Sequence, residues 1–411
     1  MSIGIVGSGI AGLHLGLFLQ QHDVPVTIYT DKTAEQVASG RIQNTVAHHH
    51  TTLERERALG VHFWDASEYG YEAHLHYFGV EQPLYFRGDF ADRSSAIDYR
   101  LYLPRLMEAY EERGGALVVE PIEPADVDRL AGRHDLVVVC TGRAGLGELF
   151  PPLRQHSPYD RPQRRLCAGH YHGIARSEPN AVSISVWPGH GELLEIPMTS
   201  AAGHVTVLLF ESIPGGEQEI LADLSYDEDP ARFERTVLDI LREHHPYTFE
   251  RVDESSFGLT GPLDLLQGAV TPVVREDFAR LANGRFALAV GDAHVAVDPV
   301  VGQGANLASY SAWRVGEAIV SDFGFDERFC ERVARSREER VHGASAWVNL
   351  MLAPPPQHLF ELVGAMSQHK EICDEFTRNF NEPERQWDIL ATPERTRAFL
   401  EKRLATSGAP A

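Results

Sequence analysis

The start of the chain limits what it can fold into more than any other stretch. Ile3-Gly4-Ile5-Val6-Gly7-Ser8-Gly9-Ile10-Ala11-Gly12 joins an apolar run to a Gly-x-Gly-x-x-Gly turn; an apolar helical stretch follows, then Val26-Thr27-Ile28-Tyr29-Thr30-Asp31. Strand, glycine turn, helix and strand in that order form the unit that holds a dinucleotide pyrophosphate. Gly7 permits the tight turn, Gly9 lets the backbone reach the phosphates, and Gly12 lets the helix lie close to the strand. The helix N-terminus then presents free N–H groups to the anion. One position departs from the pattern. Thr30 stands where the ribose-binding acid closes the second strand, and Asp31 comes one residue later. Either the loop shifts so that Asp31 reaches the ribose, or the grip on the adenosine half is weak and the cofactor can leave.

A second motif lies far downstream. Ala287-Leu288-Ala289-Val290-Gly291-Asp292 reads as a buried strand delivering an acid, and Asp298-Pro299-Val300-Val301-Gly302-Gln303-Gly304-Ala305-Asn306 reads as a Pro-Gly turn opening a helix that runs to Ser321. This chemistry suits a flavin: Asp292 accepts from a ribityl hydroxyl, and the N–H groups of Gly302, Gly304, Ala305 and Asn306 face the ring carbonyl or the pyrophosphate. Between the two motifs, Asp135-Leu136-Val137-Val138-Val139-Cys140-Thr141-Gly142 is a continuous apolar run, as expected of a parallel strand covered on both faces.

The remaining pattern sets the organisation. A helix is predicted over Thr52 to Leu59, strands over 72–90, and a helix over Asp98 to Gly114. Residues 165–213, rich in Val, Ile, Tyr and Phe, predict an antiparallel sheet, and 326–405 reads as helical. We expect an α/β fold: a dinucleotide-binding domain from segments 1–70, 98–164 and 271–325, a substrate domain from 71–97 and 165–270, and a helical region over 326–411.

Charge narrows the partners. With 37 basic and 59 acidic side chains the net charge is -22, which argues against nucleic acid or an anionic membrane. No apolar run approaches the roughly 20 residues that span a bilayer. The first core strand begins at once, with no basic segment before it, so a cytoplasmic protein is expected. Cys140, Cys167, Cys330 and Cys373 are scattered and read as reduced thiols. His48-His49-His50 is not a metal site, because adjacent histidines point apart and no acid or cysteine cluster completes a ligand set.

The two cofactor motifs together resemble the flavoprotein aromatic hydroxylases. Further stretches are Asn44-Thr45-Val46-Ala47-His48 and Asp98-Tyr99-Arg100-Leu101-Tyr102, and, far more selective, Pro188-Gly189-His190-Gly191-Glu192 and Pro383-Glu384-Arg385-Gln386-Trp387-Asp388. With these, the chain resembles, over essentially its whole length, the oxygenase component of the two-component styrene and indole monooxygenases. The resemblance implies a Rossmann-like FAD-binding domain of the aromatic-hydroxylase type with an inserted antiparallel-sheet substrate domain and a helical C-terminal region.

The resemblance also implies a chemistry. An NADH-dependent flavin reductase supplies reduced FAD, O2 converts it to a flavin C4a-hydroperoxide, and an electrophilic oxygen passes to an alkene. The substrate is a vinyl aromatic or indole, and a homodimer is among the assemblies the resemblance allows. Asn44 and Pro299 are the implied catalytic positions, and Val46, Tyr71, His74 and Ser94 the implied substrate contacts, a combination closer to the styrene than to the indole group. Arg41 and Arg100 are implied on the cofactor, though a surface arginine and a salt bridge to Asp98 explain them equally from the residues alone. A single-component NAD(P)H-dependent hydroxylase is the rival from the same fold.

Overall fold

β1 (Ile3–Val6) carries no polar side chain, so it folds only where both faces are covered, and it is buried throughout. It pairs in parallel with β2 (Val26–Thr30) on one side and with Leu136–Val139 on the other. The computed structural model describes residues 2–79 and 81–407, so the end of the C-terminal region, 408–411, lies outside the described residues. The sheet has six strands, ordered Phe278–Arg280, Phe286–Ala289, Leu136–Val139, β1, β2 and Ala116–Val119. All neighbours are parallel except the antiparallel edge strand Phe278–Arg280. Helix α1 (Ile10–Gln21) covers one face together with Gly304–Ser321; Leu13, Leu17, Phe18, Ala312 and Val315 share one buried cluster with Ile3, Ile5 and Ile28.

A second sheet of nine strands takes its members from separated parts of the chain. Its path runs Gly258–Leu259, Arg165–His172, Gly203–Ser212, Gly191–Ser200, Ala181–Trp187, Gly70–Phe78, Leu84–Ala96 and Ala47–His48, and Leu265–Gly268 also pairs with Arg165–His172. Its pairings are antiparallel apart from one: Gly70–Phe78 meets Ala181–Trp187 in parallel. That junction joins strands from two distant segments, where no short turn dictates direction.

The C-terminal helices Glu327–Leu352, Gln357–Gln368, Lys370–Arg378, Pro383–Leu390 and Pro393–Ser407 follow one another along the chain. Trp347, Val348, Leu362, Ile372 and Phe376 from these helices, with Phe380 from the turn Asn379–Asn381, pack with Phe86 and Phe90 of the nine-stranded sheet. Aromatic side chains so placed each contribute about 3–5 kcal/mol relative to Ala. Among the described residues, no helix is long and apolar enough to cross a membrane. The edge strand Ala116–Val119 and the helices Pro124–Arg133 and Pro230–His244 were not expected from the apolar pattern; both helices begin at a proline, whose missing N–H costs nothing there.

Candidate active site

The C-terminal ends of β1, β2 and Leu136–Val139 open onto a cavity of about 560 Å³, whose far wall is the nine-stranded sheet. Ligands of open α/β sheets bind at this edge, where the strands deliver their turns.

The near end is a phosphate cradle. Gly7 holds φ +110 beside Thr141. A Cβ on Gly12 would stand 1.9 Å from the Gly7 carbonyl oxygen, so α1 reaches β1 only with glycine there. A Cβ on Gly9 would meet nothing within 4 Å, because Gly9 faces the cavity itself. Gly9 is also the N-cap of α1 and brings no side chain to the first-turn N–H groups. Those donors are left for an anion.

Thr30 and Asp31 both line this end. The Thr30 hydroxyl is engaged by Ser8 Oγ at 2.7 Å. A further acid, Glu120, lines the cavity here and was not found from the sequence. It follows the edge strand beside β2; its N–H donates to the Thr30 carbonyl at 2.8 Å, and its carboxylate accepts from Arg129 at 2.9 Å. Only the strand order places it next to Thr30, so no local signal could have pointed to it.

The second turn closes the middle of the cavity. Asp292 lines it directly after Gly291, which holds φ +58. Pro299 follows Asp298, whose carboxylate accepts from the Val300 N–H at 3.2 Å. Glu211 lies beside Asp298; burial and that neighbour hold it well above the usual carboxylate range, so the pair keeps a proton. Gly302 (φ +60) ends the turn, and Gly304 and Ala305 line the cavity at the next helix start.

Asn306 was expected to offer its backbone N–H to a ligand; it is not among the residues that line the cavity, and its side chain holds the turn. Its Nδ2 donates to the Ala47 and Gly302 carbonyls, both at 2.9 Å. Its Oδ1 accepts from the His49 N–H at 2.9 Å and the Thr52 hydroxyl at 2.8 Å. The side chain is therefore spent on protein partners and clamps the turn to the strand Ala47–His48. Asn306→Leu leaves those buried groups unpaired at about 1–3 kcal/mol each. We expect a stability loss of at least about 3 kcal/mol in denaturant unfolding, and a loss below about 1 kcal/mol would refute the clamp.

The far end is apolar. Val46, Leu166, Ala168, Leu209, Leu266 and Val297 line it, and Asn44, Gln43 and Thr45 border it on the loop before Ala47–His48. Asn44, Val46 and Pro299 thus come together. Tyr71, His74 and Ser94 do not line the cavity: they are buried at 1%, 2% and 0% exposure. Tyr71 stacks on His74, and His74 meets Phe90 and Phe380 edge-on at 4.7 and 4.5 Å between ring centres. His74 Nδ1 and both ring nitrogens of His49 lack hydrogen-bond partners among the described residues. His49 connects this layer to the site, since its Nε2 lies 4.0 Å from where a Gly302 Cβ would be. Burial drives His74 far down and His49 to about 3, so both rings are neutral.

The two arginines lie outside the cavity lining. Arg41 Nη1 donates to the Pro262 and Leu265 carbonyls at 2.7 and 3.0 Å. Arg100 is held by Asp98 at 2.6 Å and Asp264 at 2.5 Å, the salt-bridge alternative extended by a second acid. Gly12 acts from behind the turn. Tyr99 and Leu103, from the helix Tyr99–Glu112, line the cavity without having been singled out.

Comparison with known proteins agrees with this geometry. Residues 142–251 match the family model of the styrene monooxygenase A substrate binding domain. The chain is 47% identical over 398 residues to styrene monooxygenase StyA of Pseudomonas fluorescens, with 96% of each chain covered; a StyA of a Pseudomonas sp. matches to the same extent. Among solved structures, the flavin-dependent brominase Bmp2 superposes with a TM-score of 0.68 at 15% identity, covering 99% of this chain and 100% of its own. The 2-methyl-3-hydroxypyridine-5-carboxylic acid oxygenase gives 0.60 at 16% identity, covering 93% and 96%. At such identities the structural likeness speaks for the fold alone.

Proposed function

This chain belongs to the styrene monooxygenase family, and from that premise we propose that it epoxidises styrene-like vinyl aromatics with O2 and reduced FAD made by a separate NADH-dependent reductase. It is an FAD-dependent monooxygenase. The observation that carries the substrate reading is the two-ended cavity: a glycine cradle at one end and a wall of Val46, Leu166, Ala168, Leu209, Leu266 and Val297 at the other. An alkene has no acidic proton, so a wall without a base suits it.

The residues present fit FAD. Gly9 leaves open the space a pyrophosphate needs, and the uncapped first turn of α1 supplies its donors. In this reading Asp31 or Glu120 takes the ribose, Asp292 a ribityl hydroxyl, and the turn Gly302 to Ala305 the ring end. Bound there, FAD supplies the electrons that activate O2. The chain binds and orients it, and Val46, Pro299 and Asn44 bound the space where the substrate lies. An apolar, closed space keeps water from the reacting centre.

The test is product analysis with chemically reduced FAD under air, offering styrene and indole in parallel. Styrene oxide as main product supports the reading; indole products alone move the chain to the indole group. NADH oxidation by the pure protein with FAD and substrate would instead show a single-component hydroxylase.

A cofactor that arrives reduced and leaves oxidised needs a site that grips the reduced form more tightly. The engaged Thr30 hydroxyl, where an acid is usual, fits an exchangeable adenosine half. Reduced FAD is expected to bind more tightly than oxidised FAD, so the midpoint potential of bound flavin lies above that of free flavin. Spectroelectrochemical titration checks this; equal or tighter binding of the oxidised form overturns it.

A further inference from the structure

We propose that Tyr99, His48, Glu56 and His62 form a proton path between the cavity and solvent. Tyr99 is one of the residues that line the cavity. Its hydroxyl meets His48 Nε2 at 2.8 Å. His48 Nδ1 meets Glu56 Oε1 at 2.7 Å, and Glu56 Oε2 meets His62 Nδ1 at 3.4 Å. The His48 and Glu56 side chains are 4% and 5% exposed, whereas His62, at 14%, reaches the surface. The chain thus runs from a wet end, through two buried groups, to the cavity.

The two inner members, Glu56 and His48, each meet a different neighbour through each of their two polar atoms, which a single structural ion pair does not require. Burial by itself raises Glu56, but His48 and His62 outweigh it and hold the carboxyl below its ordinary range, so it stands ready as an acceptor. Burial raises Tyr99 well above the usual phenol range, with Glu56 and Asp292 adding to it, so the phenol keeps its proton and donates. A side branch runs from Glu56 through Tyr102 to His14, Ser309 and Arg55. His14 is pushed down to about 3 by burial, and Arg55 is a permanent cation, so that branch holds the path in place and does not load it.

This inference rests on the flavin-dependent reading, which creates the demand. Two electrons from anionic reduced flavin, O2, an alkene and one proton give oxidised flavin, an epoxide and water. The alkene π pair becomes part of the new C–O bonds, and the second oxygen leaves as water carrying the flavin's hydrogen and the added proton. The apolar wall of the cavity offers no polar side chain to bring that proton from bulk water. Along the path, a proton enters at His62 and passes by Glu56 to His48 Nδ1. His48 gives its Nε2 proton to Tyr99, and Tyr99 releases its own into the cavity.

Two readouts test it. In cofactor-free protein labelled with ¹⁵N-histidine, exchange of the His48 ring N–H with water is followed by NMR in wild type and in His62→Leu, a surface change that leaves the cavity untouched. Severalfold slower exchange in His62→Leu is expected. In single turnovers with reduced FAD and styrene, Tyr99→Phe is expected to slow product formation by about 10²-fold, the low end of what a positioned proton donor contributes. The lost epoxide should reappear as hydrogen peroxide, with reduced-FAD affinity unchanged. Unchanged exchange in folded His62→Leu, or wild-type coupling across the neutral pH range in Tyr99→Phe, overturns the path alone. Failure of the wild type to bind reduced FAD sinks the flavin reading and, with it, the proton's destination.

Discussion

Gly9→Ala is expected to destroy tight FAD binding in a protein that still folds, and Gly12→Ala to lose the fold first. The two glycines differ in what surrounds them. A methyl on Gly9 touches no protein atom within 4 Å, so the cost to stability is that of alanine as an N-cap, about 1 kcal/mol or less. That methyl stands where the pyrophosphate would meet the first-turn N–H groups. Losing two charge-assisted hydrogen bonds, at about 1.5–3 kcal/mol each, weakens binding by at least about 10²-fold.

A methyl on Gly12 lies 1.9 Å from the Gly7 oxygen and 3.0 Å from its carbonyl carbon. Backbone cannot yield as a side chain would, so α1 must lift off β1, at about 1–3 kcal/mol or more for the overpacked contact. Thermal unfolding and anaerobic titration with reduced FAD, run on both variants, separate the effects. Wild-type affinity in Gly9→Ala would remove the pyrophosphate from the start of α1.

Local signals account for what was readable beforehand. The glycine turn, the apolar run Leu136–Val139 and the helix Gly304–Ser321 are each written within a few neighbouring residues, and the α/β character followed from them, while the helical C-terminal region was read from residues 326–405 themselves. What escaped was set by distance along the chain. Glu120 reaches the cavity because Ala116–Val119 takes the sheet edge beside β2, a choice that four residues of apolar sequence do not announce. The parallel pairing of Gly70–Phe78 with Ala181–Trp187 and the contact of His14 with Ser309 have the same cause. Asn306, at the head of its helix, was read for its backbone N–H alone; the strand Ala47–His48 that engages its side chain comes from the other end of the chain.

The depth of the substrate site is the question with the second large effect. Val46 is on the apolar wall, whereas Tyr71 is a layer behind, so the two substitutions act differently. Val46→Ala removes contact from the cavity surface with little loss of packing. It should shift discrimination between substrates, and between the two faces of the alkene, by about 1–3 kcal/mol. Asn44→Ala, on the same rim, should loosen closure and divert turnover from epoxide to hydrogen peroxide.

Tyr71→Val instead opens a void among His74, Phe90 and Ser94, where complete truncation of an aromatic costs about 3–5 kcal/mol. Part of that stability is expected to be lost. If the void joins the cavity beneath Val46, bulkier vinyl aromatics gain on styrene, because the added space accepts a larger ring. Chiral analysis of the epoxide, peroxide yield and unfolding midpoints for the three variants, with reduced FAD supplied identically, decide the matter. A changed enantiomer ratio in Val46→Ala alone confines the substrate to the visible cavity. A change in Tyr71→Val as well extends the site into the buried layer. Unaltered products and coupling in all three would place the substrate elsewhere and leave only the flavin end of this reading in force.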